Sequence, residues 1–314
     1  MQHILITGGA GFIGANLAAA LTKKPGCRVV VADNFKSGDW RNLIHINCEV
    51  RATESNDPAL LKDIADGKFT AVMHQAAITD TTIMDQNLMI SVNTNAFADI
   101  LKASSHSGTR VVYASSAGVY GNSPAPNKIG NGEIPENIYG FSKLAMDRIM
   151  HDRLEHHPSI MVGLRYFNVY GPGESHKGKT SSMILQLYQQ VKAGRQPRLF
   201  KFGEQKRDFV YIGDIVAANL AALEAPRSGI CNVGSGRSRS FNDIIAILGR
   251  ILGKELKTEF IDNPYEFYQN HTQADLRESR ALLDWEPNWS LEDGMDEYIR
   301  LLECGSQANF GEKT

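Results

Sequence analysis

The stretch ILITGGAGFIG, residues 4–14, decides the fold of this chain. A short apolar run, Ile4 to Ile6, leads into a loop with four glycines, and an apolar helical pattern then includes Leu17. This pattern predicts a buried strand, a tight turn and a helix N-terminus, which together hold the pyrophosphate of a dinucleotide. The glycines, which fit both G-x-G-x-x-G and G-x-x-G-x-x-G, are Gly8, Gly9, Gly11 and Gly14.

The glycines have separate expected roles in such a turn. A side chain at Gly9 or Gly11 would keep the backbone amides away from the phosphates, and one at Gly14 would push the helix away from the strand. A second apolar run ends in Asp33, about 20 residues after the last glycine. An acidic side chain there accepts hydrogen bonds from the ribose hydroxyls of adenosine, so the pattern predicts NAD or NADP as the cofactor.

Composition and charge restrict the partners that the chain can have. It has 314 residues, 42% of them hydrophobic, and a net charge of −2, which gives no electrostatic reason to expect nucleic acid or a membrane as a partner. No apolar run approaches the roughly 18 residues that span a bilayer, and the first residues predict a strand with no signal peptide around it. Four cysteines and nine histidines are scattered, so we expect reduced thiols in the cytoplasm and no metal site.

Strand-like apolar runs alternate with helical stretches in the first half of the chain. The runs lie at residues 3–7, 28–32, 71–74, 110–114 and 160–164. This alternation predicts an α/β fold, a Rossmann-type doubly wound parallel sheet with helices on both faces. Such a sheet binds ligands at the carboxyl ends of its strands. The residues at those ends include Gly8, Asp33, Gln75, Ala76, Ala77, Ser115 and Ser116.

The pattern changes after about residue 165. Segments 121–136 and 171–180 are rich in glycine, proline and polar residues, which predicts loops. Helical stretches at 181–193, 213–224 and 240–252 alternate with short strands near 198–200 and 230–233. On the first of these helices, we expect Met183, Leu185 and Leu187 to lie in the core. We predict a dinucleotide-binding domain at 1–165, with a later return to the sheet, and a smaller, mainly substrate-binding C-terminal domain at 166–314.

A Y-x-x-x-K pair, Tyr139 and Lys143, stands at the predicted start of a helix. A spacing of four puts both side chains on one face, so the Lys143 ammonium is expected to lower the Tyr139 pKa from its usual value of about 10. Such a phenol can take a proton from a sugar hydroxyl while a hydride leaves for nicotinamide. The pair alone arises by chance in many helices. Ser116, at the end of the fourth predicted strand, supports the interpretation because its hydroxyl could steady the reacting oxygen.

Several motifs together resemble one known family. The stretches TGGAGFIG (7–14) and SSAGVYG (115–121), with Asp33 and the Tyr139–Lys143 pair, are similar to the extended short-chain dehydrogenase/reductase family of nucleotide-sugar epimerases and dehydratases. The similarity covers residues 1–300. The chain also resembles a narrower branch of this family, the nucleotide-heptose 6-epimerases. This resemblance is carried by the motifs RYFNVYGPGESHKGK (165–179), KRDFVYIGDI (206–215) and HTQADL (271–276).

This resemblance implies a reaction without net oxidation. Members of the branch keep NAD or NADP tightly bound, oxidise the sugar carbon C6″ to a ketone and return the hydride to the opposite face. Two faces need two proton-transfer groups, which the resemblance assigns to Tyr139 and Lys177. From the residues alone, Lys177 has an alternative interpretation as a solvated or phosphate-binding loop lysine.

The resemblance also assigns contacts position by position. The implied catalytic residues are Ser116, Tyr139, Lys143 and Lys177. The implied cofactor contacts are Gly8, Gly11, Phe12, Ile13, Gly14, Asp33, Asn34, Gln75, Ala76, Ala77, Asn93, Lys143 and Val169. The implied substrate contacts are Ser116, Asn168, Lys179, Gln186, Phe200, Arg207 and Tyr268. The implied partners are a nucleotide sugar and further copies of the chain, as a homo-oligomer.

Two departures leave the substrate open. The branch has serine at the position of Lys179 and histidine at that of Gln186, so the nucleotide base and the exact sugar are undecided. Asp33 favours NAD, whereas Lys36 and Arg41 are candidates to support NADP. The alternatives are another nucleotide-sugar epimerase such as a UDP-hexose 4-epimerase, a dehydratase, or a non-catalytic NAD(P)-binding protein.

Overall fold

The computed structural model describes residues 1–262 and 269–305. The strands are β1 (Gln2–Thr7), β2 (Cys27–Asp33), β3 (Glu49–Ala52), β4 (Ala71–His74), β5 (Arg110–Ser116), β6 (Met161–Tyr166), β7 (Asn168–Tyr170), β8 (Arg198–Phe200), β9 (Lys206–Tyr211), β10 (Gly229–Val233), β11 (Ser238–Ser240) and β12 (Glu259–Ile261). The helices are α1 (Phe12–Thr22), α2 (Pro58–Ala65), α3 (Gln86–Met89), α4 (Ala96–Ser107), α5 (Ile138–Arg153), α6 (Met183–Lys192), α7 (Ile212–Leu223), α8 (Phe241–Leu252), α9 (Arg277–Leu283) and α10 (Leu291–Glu303).

Seven parallel strands form the main sheet, in the order β10-β6-β5-β4-β1-β2-β3. Alternate residues of β1 face opposite sides: Ile6 packs in one core cluster with Leu17 of α1, and Leu5 packs in another with Leu60 and Ile100. The sheet is therefore doubly wound, which confirms the predicted Rossmann-type fold. The order in which the chain adds strands to the sheet reverses between β1 and β4. Sheets of this kind bind ligands at that point.

Within the main sheet, the strand pattern differs from the prediction at one place, β3. Outside that sheet, β7, β9, β11 and β12 were not predicted either. β3 pairs with β2 at the sheet edge, and its residues are only half-buried or exposed. Its sequence, EVRA, contains no apolar run because one side of an edge strand meets solvent. Ser116 consequently ends the fifth strand along the chain instead of the fourth.

The start of α5 is set by a side-chain cap. Asn137 is its N-cap, and the Asn137 Oδ1 accepts a hydrogen bond from Gly140 N at 2.8 Å. Tyr139 and Lys143 therefore lie in the first turns of a helix, as predicted.

The second half of the chain forms two small sheets and also adds a strand to the main sheet. β11, β9 and β7 form a three-stranded sheet, and β8 pairs with β12. The chain also returns to the main sheet, where β10 pairs with β6, while α7 packs against α1. The division into residues 1–165 and 166–314 stays a prediction. Over the described ranges, 1–262 and 269–305, no helix has the length and apolar character to cross a membrane.

Candidate active site

A cavity of about 940 Å³ opens at the carboxyl edge of the main sheet. It brings together most of the residues that the sequence singled out. Those lining it are Gly8, Gly11, Phe12, Ile13, Gly14, Asp33, Asn34, Gln75, Ala76, Ala77, Ser116, Tyr139, Lys143, Asn168, Val169 and Lys177. The predicted proton-transfer groups thus share one cavity with the glycine turn.

The glycine turn between β1 and α1 is closed by backbone contacts. A Cβ at Gly8, which has φ +66°, would lie 2.6 Å from Ala76 N, and one at Gly14 would lie 2.3 Å from Gly8 O. A Cβ at Gly11 would meet only Gly8 O, at 3.2 Å. Gly11 is also the N-cap of α1, and no side chain caps this end of the helix. The backbone N–H groups of the first turn of α1 can therefore bind an anion.

One of the roles expected for the glycines is wrong. A Cβ at Gly9 would collide with the Val31 side chain at 2.6 Å, so Gly9 is needed for packing against β2 and not for access to phosphates. A Cβ at Gly14 would strike the backbone of Gly8 and Gly9, directly after β1, so it would push α1 away from the end of that strand as expected.

Asp33 is fixed at the end of β2 by backbone donors. Its Oδ2 accepts from Ala10 N at 2.9 Å and its Oδ1 accepts from Phe35 N at 2.8 Å. The side chain is 5% exposed and lines the cavity. A carboxylate held in this way presents its remaining lone pairs in one orientation, which suits recognition of a ribose diol.

The two cations considered for NADP already have carboxylate partners. Lys36 Nζ lies 2.9 Å from Glu54 Oε1, and Arg41 Nη2 lies 2.5 Å from Asp39 Oδ2. Lys36, Glu54 and Asp39 line the same end of the cavity as Asp33. Negative side chains therefore outnumber positive ones among these four cavity residues.

Tyr139 and Ser116 interact directly, whereas Lys143 is engaged elsewhere. Burial raises the pKa of Tyr139, and a hydrogen bond with Ser116 acts in the opposite direction. The Lys143 ammonium donates to Ala114 O at 2.8 Å, and its burial lowers the pKa of Lys143 to about 8. The expected lowering of the Tyr139 pKa by Lys143 is therefore wrong for this structure, because burial dominates and the ammonium is bound to a carbonyl.

A buried carboxylate lies one helical turn beyond Lys143. Asp147 is 3% exposed, and its charge favours the protonated form of Lys143. Asp147 accepts from Tyr113 Oη at 2.9 Å, Ser115 Oγ at 3.0 Å and Arg165 Nε at 2.8 Å. The sequence reasoning missed this group, although its spacing of four from Lys143 was a signal.

Lys177 lies in a 3₁₀ turn, Ser175–Thr180, and is half-buried. Its Nζ lies 5.5 Å from the centroid of the Phe12 ring, at the start of α1. Burial lowers the pKa of Lys177, and the Glu174 carboxylate acts in the opposite direction. The alternative of a fully solvated loop lysine is not what the structure shows.

Several predicted contacts do not line this cavity. Asn93 is buried and does not line the cavity; its Nδ2 donates to Ile78 O at 3.0 Å and to Ser142 Oγ at 3.1 Å. Phe200 does not line it either, and Tyr268 lies outside the described residues. Arg207 does not line the cavity. Its guanidinium carbon lies 5.9 Å from the ring centroid of Phe241, and Phe241 does line the cavity.

Lys179 and Gln186 line a second, more open cavity of about 900 Å³. It also contains Arg195, Arg198 and Glu259. The two positions at which this chain departs from the branch therefore lie together, apart from the cavity that holds Tyr139. Their assignment as substrate contacts stays a prediction.

The structure adds residues that the sequence reasoning missed. His176, Phe209, Phe241 and Glu54 line the main cavity. Met183, which was expected in the core, is partly buried against the core and also lines this cavity. Leu185 and Leu187 are buried core, as predicted. His176 and Phe209 stand inside the motifs that carried the resemblance, so a signal existed for them. Phe241 and Glu54 belong to no such motif.

The fold and the cavity define a dinucleotide-binding α/β protein with a Ser-Tyr-Lys constellation. The family model described as NAD dependent epimerase/dehydratase family matches residues 4–234, and the chain belongs to this family.

More specific similarities point to one branch. The chain is 36% identical over 330 aligned positions to a protein of Cupriavidus pinatubonensis named ADP-L-glycero-D-manno-heptose-6-epimerase, covering 96% of this chain and 99% of that one. The crystal structure of the Helicobacter pylori protein of that name superposes with a TM-score of 0.90 at 45% identity, covering 96% of each chain. The UDP-glucose 4-epimerase of Thermotoga maritima superposes with a TM-score of 0.88 at 27% identity, covering 97% of this chain and 99% of that one.

Proposed function

We propose that this protein is an ADP-heptose 6-epimerase that converts ADP-D-glycero-D-manno-heptose to ADP-L-glycero-D-manno-heptose. One observation carries the proposal: Tyr139 and Lys177, two candidate proton-transfer groups, line the same cavity as the glycine turn. Inversion at one carbon by removal and return of a hydride needs an acid/base group for each face of the intermediate ketone. The similarity to proteins of that name supports the choice of substrate.

The cavity residues fit a dinucleotide of the NAD or NADP type. The shallow contact above Gly11 and the uncapped start of α1 suit a pyrophosphate, and Asp33 suits the adenosine ribose. When bound, the nicotinamide ring supplies an acceptor and later a donor for the hydride. Binding, orientation and proton transfer are left to the residues of this chain.

The chain contributes distinct functions at the reacting carbon. Ser116 positions the sugar oxygen by hydrogen bonding, and Tyr139 removes the hydroxyl proton as the ketone forms. Lys143 keeps a positive charge in the cavity, which stabilises the negative charge that develops on the Tyr139 oxygen as the proton is exchanged, although burial dominates the resting pKa of Tyr139. Lys177 exchanges the proton when the hydride returns to the other face. The same C6″ carbon thus begins and ends as an alcohol.

A UDP-hexose 4-epimerase is the second candidate. The structural similarity to the Thermotoga maritima enzyme favours it, since Ser116, Tyr139 and Lys143 would serve either substrate. The departures at Lys179 and Gln186 also concern substrate contacts. A dehydratase is less well supported because Ala117 and Gly118 follow Ser116, where such enzymes usually place an acid pair. A non-catalytic role is disfavoured because both Tyr139 and Lys143 are present.

The deciding experiment follows the configuration at C6″ by NMR. Purified protein is incubated with ADP-D-glycero-D-manno-heptose and, in parallel, with UDP-glucose. Inversion at C6″ without turnover of UDP-glucose is expected. The opposite pattern would overturn the heptose assignment and support the second candidate. Mass spectrometry of small molecules released on denaturation identifies whether NAD or NADP accompanies the protein.

We also infer a homo-oligomer that works in the cytoplasm on a small nucleotide sugar without nucleic acid as a partner. The four cysteines are free thiols in the structure, which agrees with a reducing compartment. Light scattering coupled to size-exclusion chromatography tests the oligomer: a mass of 34.6 kDa, that of one chain, would contradict it.

A further inference from the structure

Glu174 is a buried carboxylate next to the loop lysine; it stands inside the 165–179 motif but was given no role there, and it does not line the cavity. Its residue is 0% exposed. It lies between β7 and the 3₁₀ turn that carries Lys177, three residues before that lysine. Carboxylates are rarely buried to this extent unless several donors satisfy them, so its contacts need an explanation.

The Glu174 side chain closes the loop at both ends. Its Oε2 accepts from Ser182 N at 2.5 Å, and its Oε1 accepts from Ser182 Oγ at 2.7 Å. The same Oε1 lies 3.3 Å from the donor Gly171 N. Gly171 begins the loop and Ser182 is the N-cap of α6, so one carboxylate ties together residues 11 positions apart.

The main chain of Glu174 holds the lysine itself. Glu174 O accepts from Lys177 N at 3.0 Å, which closes the turn on which Lys177 stands. Lys177 Nζ then reaches the Phe12 ring at the start of α1. Side chain and main chain of one residue therefore set both the position of the loop and the direction from which Lys177 enters the cavity.

Glu174 and Lys177 each favour the charged form of the other. Burial lowers the pKa of Lys177, and the Glu174 charge opposes this. Burial likewise raises the pKa of Glu174, and the Ser182 donors and Lys177 oppose that. From α10, the Tyr298 hydroxyl faces Glu174. From the turn itself, His176 faces Lys177, and Asp39 lies beyond that imidazole.

We propose that Glu174 is a positioning residue for the second proton-transfer group: it clamps the loop of residues 171–182 over the cavity and keeps a counter-charge in the loop that carries Lys177. This inference rests on the proposed function, in which Lys177 exchanges a proton with the substrate. Glu174 itself does not line the cavity and acts only through Lys177.

The test measures the protonation of Lys177 directly, without relying on activity. Wild type and Glu174→Gln are labelled with trace acetic anhydride over a range of pH, and acetylation of Lys177 is quantified by mass spectrometry. Only the neutral amine reacts. Removal of the counter-charge is expected to move the midpoint for Lys177 to lower pH by about one pH unit. The exposed Lys179 in the same loop is the internal reference, and Glu155→Gln, an exposed change of the same kind, is the matched control.

A second variant separates clamping from charge. Ser182→Ala removes one donor to Glu174 and no charge, so the Lys177 midpoint is expected to stay at the wild-type value while kcat falls about tenfold. An unshifted midpoint in folded Glu174→Gln, or a wild-type kcat in Ser182→Ala, would overturn the inference. Failure of the wild type to convert ADP-heptose would instead overturn the proposed function, because labelling does not depend on turnover.

Discussion

The protonation of Lys143 links its immediate surroundings to the pH dependence of catalysis. Burial lowers the pKa to about 8 and Asp147 opposes this, so the ammonium is present below that pH and lost as pH rises through it. We therefore expect kcat/KM for epimerisation to fall above about pH 8. In Lys143→Arg the charge persists to higher pH, so the alkaline limb should move upward even though the rate near neutrality is lower. An alkaline limb at the same pH in this variant would contradict the assignment.

Tyr139 and Lys177 are the two residues whose loss should stop proton transfer. Tyr139→Phe and Lys177→Met are each expected to reduce epimerisation at least about a hundredfold, the usual contribution of a general acid or base. Matched controls are Tyr188→Phe and Lys192→Met, since both side chains pair with Glu303 and neither lines the cavity. NMR at C6″ measures the rates, and an unchanged rate in either site variant would remove that residue from the mechanism.

In the turn between β1 and α1, Gly14 is needed for folding, whereas Gly11 is needed so that a phosphate can approach the backbone amides. Gly14→Ala places a Cβ 2.3 Å from Gly8 O, so we expect the free energy of unfolding to fall by about 1–3 kcal/mol. Gly11→Ala meets its nearest neighbour at 3.2 Å, and its φ of −76° suits any residue. This variant should keep its stability within about 1 kcal/mol, yet bind NAD or NADP about tenfold more weakly.

Urea denaturation and titration of cofactor binding measure these two effects separately. The same stability loss in both variants would contradict the division of roles. A further contradiction would be a Gly11→Ala protein that binds cofactor as the wild type does, because the methyl group would then not obstruct the approach of phosphate to the amides.

A buried ion network joins the layers of the molecule. Arg165 on β6, 1% exposed, contacts Asp147 of α5 at 2.8 Å and Glu133 of the 121–136 loop at 2.5 Å. It also donates to Tyr120 Oη at 3.0 Å, and Tyr120 donates to Asn232 of β10 at 2.8 Å. The central sheet, α5 and the loop beside it are therefore held by one set of contacts.

Arg165→Met should lower the free energy of unfolding by about 3–5 kcal/mol because it leaves a buried carboxylate without its cation. The control is Arg28→Met, which breaks a surface pair with Glu49 and is expected to cost at most about 1 kcal/mol. Both values come from urea denaturation followed by circular dichroism. Similar losses in the two variants would contradict the importance assigned to the buried network.

Short-range patterns were enough to predict the doubly wound sheet, the glycine turn, Asp33 at a strand end and the Tyr139–Lys143 pair on one helix face. Each depends on residues that are close in sequence, where spacing translates directly into geometry. The polar, half-exposed strand β3 was not predicted, because an edge strand needs no continuous apolar run. The motif carrying Lys177 was visible in the sequence, but its half-buried place above Phe12 was not.

Long-range packing determined the remaining features. Asp147 meets Arg165, and Phe241 reaches the cavity, only because separate layers pack together. Lys179 and Gln186 came to line another cavity for the same reason. Burial then set the acid/base properties: it raised the pKa of Tyr139, against what the spacing from Lys143 suggested, and it lowered the pKa of Lys143. Desolvation depends on everything that surrounds a group, and that is known only when the chain is folded.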